Sequence, residues 1–277
     1  MKKNLYNRGF FYALCLKMIK FAVGVEYNGQ AFHGWQTQQA GVRTVQSCLE
    51  HALSKVANHS IQIFCAGRTD AGVHAVGQVI HFKTSANRTI RNWLLGVHTY
   101  LPDDISITWI KAVDDDFHAR FSAMARSYRY FILNRPTRSA LFAKRATWIH
   151  QPLDQQKMFD AAQYLVGTHD FSSYRAVACQ AKSPIKTVEY INIKQKGELL
   201  TLTIKANAFL HHMVRNIAGV LIAIGANEKP IHWSKTVLDY KDRRQGGVTA
   251  KADGLYFQQV DYPQKYQLPH TQIIELG

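Results

Sequence analysis

Apolar and polar positions alternate along eight stretches of this chain, and each stretch predicts a strand: 19–27, 61–66, 77–83, 105–110, 127–133, 187–193, 199–204 and 255–261. Side chains on a strand point to opposite faces in turn, so a period of two marks a sheet. Between these stretches the spacing changes to three and four. Val45, Leu49, Ala52, Leu53 and Val56 recur behind Thr44, a residue suited to cap a helix. Further helical periods cover 88–98, 153–165 and 232–240. The segment 210–225 is apolar on nearly all sides apart from Arg215 and Asn216, which predicts a helix in the middle of the molecule. Lys196-Gly197 joins two strand patterns as a hairpin.

The order is β-α-β-β-α-β, followed by β-α-β-β-α-α-β. It reads as an α+β fold of two similar halves, each an antiparallel sheet with helices on one face. No stretch rich in Pro, Gly or Ser separates them. The halves are therefore expected to join in a continuous sheet with a central basic cleft, the natural place for a ligand. The boundaries are expected at 18–116 and 117–262. Residues 1–17 read as an N-terminal extension outside the fold: the apolar part is short, Lys17 follows at once, and no small-residue cleavage site appears. Residues 263–277 read as a tail. No stretch reaches the length of a membrane span, and the chain reads as soluble and cytoplasmic.

Charge sharpens the picture. Thirty-four Lys and Arg against nineteen Asp and Glu give a formal net charge of +15, spread through the chain rather than gathered in a tail. That implies a polyanionic partner, nucleic acid foremost. The cysteines, Cys15, Cys48, Cys65 and Cys179, lie far apart and make no CxxC pair. This argues against a zinc ribbon or a disulfide framework and fits a reducing compartment. The thirteen histidines include no HExxH arrangement. His211 and His212 are adjacent and on a helix would point about 100° apart, which disfavours a shared metal. No metal is expected.

The densest chemistry lies at Gly67-Arg68-Thr69-Asp70-Ala71-Gly72-Val73-His74-Ala75, with Gly77-Gln78 behind it. One carboxylate sits on a glycine-bracketed turn between two predicted strands, two residues after an arginine. Turns held by a rigid scaffold are where reactive side chains are presented. The pairs Asp103-Asp104 and Asp114-Asp115-Asp116 read instead as solvated loop acids. His74 and His169 read as structural histidines.

These residues resemble the tRNA pseudouridine synthase A family. The resemblance rests on Gly67–Ala75, on Tyr27-Asn28-Gly29 with Gly34-Trp35-Gln36, and on Phe121-Ser122-Ala123 running into Arg126-Ser127-Tyr128-Arg129-Tyr130. It continues through His169-Asp170-Phe171-Ser172, Phe209-Leu210-His211-His212-Met213-Val214-Arg215-Asn216, and 250–257. It covers about 18–262. His98 stands where the family usually has Asn, which leaves a local hydrogen bond open.

The resemblance implies isomerisation of uridine to pseudouridine in the tRNA anticodon stem-loop, at positions 38, 39 and 40, by a homodimer. Nothing is oxidised and no group enters or leaves, so no cofactor is expected. Asp70 is the implied catalytic carboxylate, acting as nucleophile, as base, or by stabilising cationic character at C1′. Arg215 is implied as its charge partner and Tyr128 as the ring that stacks on the uracil. Arg68 would hold the flipped nucleotide's phosphate or occupy the space it leaves. Arg120, Arg126, Arg129, Arg175, Lys182 and the run Lys241-Asp242-Arg243-Arg244 are expected to line a positive cleft, each a weaker candidate. Two other readings stay open. A non-catalytic RNA-binding protein would need the basic face but not Asp70. A glycosidic hydrolase would want a second placed carboxylate or a metal-bound water, and neither is evident.

Overall fold

The computed structural model describes residues 18–39 and 41–269; the expected extension 1–17 lies outside the described residues. Strands are β1 (Ile19–Tyr27), β2 (Phe64–Cys65), β3 (His74–Thr84), β4 (Ile105–Val113), β5 (Ala125–Asn134), β6 (Thr147–Ile149), β7 (Gly167–Asp170), β8 (Ile185–Lys196), β9 (Leu199–Ala206) and β10 (Leu255–Asp261). Helices are α1 (Val45–Ala57), α2 (Ile90–Tyr100), α3 (Gln155–Gln163), α4 (Met213–Gly225) and α5 (Trp233–Tyr240). The strands form one mixed sheet in the order β4-β1-β3-β10-β5-β9-β8-β7, with β2 added to β3 and β6 to β5. The fold is α+β, and its sheet is continuous.

β10 explains the continuity. Its sequence lies near the C-terminal end, yet it enters between β3 and β5, parallel to the first and antiparallel to the second. It is buried over most of its length, as a strand with two neighbours must be. Phe257 thereby pairs with Ala75 on one side and Tyr128 on the other, so β10 places the strand carrying Tyr128 near the start of β3.

Alternation on β5 separates two clusters. Tyr128, Tyr130 and Ile132 enter the main core. Phe131 and Leu133 point to the other face, where they meet Val76, Ala146 and Tyr256. The main core also takes the helices' apolar stripes, including Leu49 and Leu53 of α1, Trp93 of α2, Met158 of α3 and Ile217, Leu221 and Ile224 of α4.

Most expected elements recur within a few residues. Thr44 does cap α1, its hydroxyl accepting the Ser47 N–H at 3.3 Å. The strand expected over 61–66 is only Phe64–Cys65. The strand expected from 77 begins at His74, and β6 and β7 were not expected. The helix expected from 210 begins at Met213, because His212 adopts a left-handed backbone, φ 61°, that an α-helix cannot contain. His98 supplies the local bond its position left open, donating from Nδ1 to Leu94 O at 2.7 Å and accepting from Ser106 Oγ at 3.0 Å. Gln264–Tyr266 forms a single helical turn, and the Tyr266 ring packs edge-on to Phe117 with centroids 5.0 Å apart.

No helix among the described residues is long and apolar enough to cross a membrane.

Candidate active site

The loop between β2 and β3 is held by bonds from outside it. Tyr27 Oη meets Thr69 Oγ1 at 2.7 Å, and Gln78 Nε2 donates to Gly67 O at 2.6 Å. Trp35 N–H donates to Thr69 O at 3.0 Å and Gly72 N–H to Phe32 O at 3.3 Å, so the loop around 28–35 lies directly on the Asp70 loop. This contact explains the glycines in Tyr27-Asn28-Gly29 and Gly34-Trp35-Gln36. A Cβ on Gly29 would fall 2.0 Å from Val73 O. Gly34 has φ +92°, a conformation that favours glycine, and a Cβ there would fall 2.9 Å from Thr69 O.

Asp70 emerges from this brace with its side chain 21% exposed and meets Arg215 from the first turn of α4 and two histidines from just before it. Arg215 Nη1 donates to Oδ2 at 2.9 Å, while its Nε donates to Ala250 O at 2.8 Å, which fixes the guanidinium plane. His211 Nε2 lies 3.1 Å from Oδ1 and His212 Nε2 lies 3.2 Å from Oδ2. The carboxylate oxygen that His211 bonds requires the proton on its Nε2, while His212 approaches at ion-pair distance without a hydrogen bond. Burial pushes the His212 pKa below the ordinary histidine value; the Asp70 charge opposes that shift, and Arg215 and His211 add to it.

The two histidines correct the expectation that adjacent rings diverge. They do not sit together on a helix. The left-handed turn at His212 brings both Nε2 atoms to one carboxylate, with ring centroids 4.1 Å apart. Asp70, His211 and His212 therefore form a group whose ligand atoms lie within 4.8 Å, a spacing that can accept a metal ion. The histidines were missed as site residues because the apolar run Phe209-Leu210 extended the helical pattern back past them. The signal available was the pair itself, two polar rings inside an otherwise apolar segment.

Tyr128 is 9% exposed, with Phe209 and Phe257 edge-on at 4.9 Å on two sides. Burial raises its phenol far above the ordinary tyrosine value, and the charges of Tyr27 and Asp70 contribute in the same direction. Arg68 is exposed on the Asp70 loop. Burial pushes the Cys65 thiol up to about 12, opposed by Arg68 and Arg120, so both cations act on one neighbourhood behind the loop.

The other basic candidates divide. Arg126 donates to four carbonyls, those of Ala123, Asn207, Ala66 and Arg120, so its guanidinium is committed to the protein. Arg129 follows Tyr128 on β5 and points to the opposite face of the sheet. Arg120 and Lys182 are exposed and Arg175 is partly exposed. Arg243 bonds Asn216 and Thr249 inside the fold. Of the acids expected to be solvated, Asp103, Asp114, Asp115 and Asp116 are exposed, the last two while pairing with Lys83 and Lys265, whereas Asp104 is partly buried against Arg43. His74 is structural, accepting the Gly29 N–H at Nδ1 and donating to Lys144 O from Nε2. A cavity of about 300 Å³ beside it is lined by Tyr27, Asp103, Asp104, Arg145 and Tyr256, but not by Asp70, Tyr128 or Arg215.

A carboxylate on a braced loop thus meets an arginine of α4 and two histidines just before that helix, with a buried tyrosine on β5, in a chain of net charge +15. A family model described as tRNA pseudouridine synthase matches residues 24–122 and 161–263. A protein of Pseudomonas aeruginosa named tRNA pseudouridine synthase A is 56% identical over 250 residues, spanning 90% of this chain and 88% of the relative. Relatives of the same name from Alcanivorax borkumensis and Pseudoalteromonas atlantica are 55% and 54% identical over 252 and 251 residues, each spanning 91% of this chain and 94% and 95% of theirs. The chain belongs to the tRNA pseudouridine synthase family. Asp70 falls in the first matched segment and His211, His212 and Arg215 in the second.

Proposed function

We propose that this protein isomerises uridine to pseudouridine in the anticodon stem-loop of tRNA, at positions 38, 39 and 40, with Asp70 as the catalytic carboxylate. The observation that carries the reading is the convergence of Arg215, His211 and His212 on Asp70. The reaction breaks the C1′–N1 bond and forms C1′–C5; N1 gains a proton and C5 loses one, so the base is retained and no second substrate is consumed. A carboxylate serves this as a nucleophile, as the base that takes a ribose proton, or by stabilising positive character at C1′. Fixed donors on both oxygens keep it aimed without reorganisation during the reaction.

Tyr128 supplies the ring beside the extruded uracil, and Arg68, exposed on the same loop, meets the phosphate or fills the vacated stack. The protein acts as a homodimer in the cytoplasm, for which gel filtration at moderate salt is the check; elution at monomer mass counts against the dimer.

The test is to incubate the protein with unmodified tRNA, digest the RNA and label pseudouridine chemically. Product from the wild type, lost in Asp70→Asn with tRNA affinity retained, supports the reading. Free uracil instead of pseudouridine identifies a hydrolase. Binding by the wild type without either product leaves a non-catalytic RNA-binding protein.

A further inference from the structure

Outside the Asp70 site, four aromatic side chains form a continuous run. Centroids are 5.1 Å apart for His81 and Phe64, 5.7 Å for Phe64 and His118, and 4.3 Å for His118 and Phe121. The run begins in the interior, where His81 is 5% exposed, and ends in solvent, where Phe64 is 45% and Phe121 75% exposed. The Arg120 guanidinium lies 5.5 Å from the centre of the Phe121 ring.

The chain holds these rings out deliberately tightly. His118 Nδ1 accepts the N–H groups of Arg120 and Phe121 at 3.1 and 3.4 Å. Ser122 Oγ accepts the His118 N–H, and the Ser122 N–H returns to His118 O, both at 2.9 Å. Beneath the turn, Ala119 N–H donates to His81 Nδ1 at 3.1 Å and the Tyr262 hydroxyl donates to Ala119 O at 2.6 Å. Arg126 Nη2 donates both to Arg120 O at 2.6 Å and to Ala66 O at 3.2 Å. One guanidinium therefore ties the exposed turn to the residue that opens the Asp70 loop. An apolar ring at this exposure contributes little to the core, and its turn is already ordered before any ligand arrives.

We propose that Phe121, backed by His118 and Phe64, is a stacking platform for an unpaired nucleobase of the RNA next to the target nucleotide, with Arg120 meeting the adjacent phosphate. The inference rests on the reading of the substrate as RNA. Every base offers a π-face, the exposed Arg120 guanidinium that lies over the Phe121 ring can give way to a base and meet its phosphate, and the chain's +15 charge draws such a partner to its surface. A preformed turn lowers the ordering cost of the contact.

The experiment compares the wild type, Phe121→Ala and Phe121→Trp for binding to an anticodon stem-loop hairpin and to hairpins with one abasic nucleotide at each loop position in turn. Phe121→Ala is expected to weaken binding of the intact hairpin roughly tenfold, with kcat at saturating RNA little changed, and Phe121→Trp to restore it. One abasic position should cost the wild type the same factor and cost Phe121→Ala nothing more. Wild-type affinity in Phe121→Ala, or losses that multiply at every abasic position, would overturn the platform. Unchanged RNA binding with an altered mass in gel filtration would overturn it in favour of a protein contact. Pseudouridine is measured on the same samples: product from the wild type with equal binding by the variant sinks this inference alone, whereas no product from the wild type sinks the functional reading.

Discussion

Asp70 and Asp104 are both carboxylates beside an arginine, and their side chains are similarly exposed, at 21% and 25%. Their surroundings differ in geometry. Arg43 grips Asp104 with both nitrogens, Nη1 to Oδ2 at 2.8 Å and Nη2 to Oδ1 at 2.7 Å, the fork-to-fork pairing typical of a structural link. Asp70 receives one bond from an arginine whose Nε is engaged elsewhere and one from His211, with His212 Nε2 a further 3.2 Å from Oδ2. The first arrangement fastens the loop after α2 to the segment before α1. The second holds a carboxylate with groups arriving from separate side chains, one on each oxygen at least, so its aim is set without a two-pronged clamp. Exposure and the sign of the neighbour do not separate the two acids; the number of independent partners does.

The sharpest way to break this comparison is to neutralise each acid. Asp70→Asn should lower pseudouridine formation at least about a thousandfold while the protein stays folded, and Asp104→Asn should leave the rate within about twofold of wild type. Labelling of pseudouridine in single-turnover reactions reads both, and a comparable loss in each variant would erase the distinction. Arg215→Lys comes next. An ammonium cannot bond Ala250 O and Asp70 in the same plane, so the rate should fall roughly 10- to 100-fold with tRNA affinity nearly unchanged. An intact rate in that variant would show that charge alone suffices.

The division between structural and reactive groups extends to the histidines, where pH tests it. Burial pushes His81 down to about 4, against an ordinary value of 6.5. Between those values the unfolded chain binds more protons than the folded one, so stability rises with pH through this window and is lost on acidification. For His81 the difference amounts to about 3 kcal/mol. His118 and His74 are shifted the same way and add to the slope. His81→Asn keeps an acceptor for the Ala119 N–H and should flatten urea-derived stability between pH 4 and 6.5; an unchanged slope would assign the dependence to other groups. The smallest effect belongs to Asp104→Asn again, now on stability. Loss of a partly exposed ion pair should cost about 1 kcal/mol in chemical denaturation, and a loss several times larger would mean that the pair anchors more than two loops.

Much of the secondary structure was legible because short-range physics writes it locally. The alternation over 19–27 and 255–261 became β1 and β10 with the bounds expected, and Thr44 announced α1. Asp70 stood out because a lone acid on a glycine-bracketed turn has few local explanations. The start of α4 was illegible. Nothing in Leu210-His211-His212-Met213 announces a left-handed residue, and apolar periodicity carries the helix straight through it.

What this chain determines by itself is its helices and longer strands, the basic balance and the isolated carboxylate, since propensity, period and charge are properties of residues and near neighbours. Tertiary structure alone decided that β10 enters between β3 and β5, that the loop around 28–35 clamps the Asp70 loop, and that His211, His212 and Arg215 meet Asp70 across some 140 residues of sequence. Those contacts depend on packing between distant segments, and packing is settled only when the whole sheet has formed.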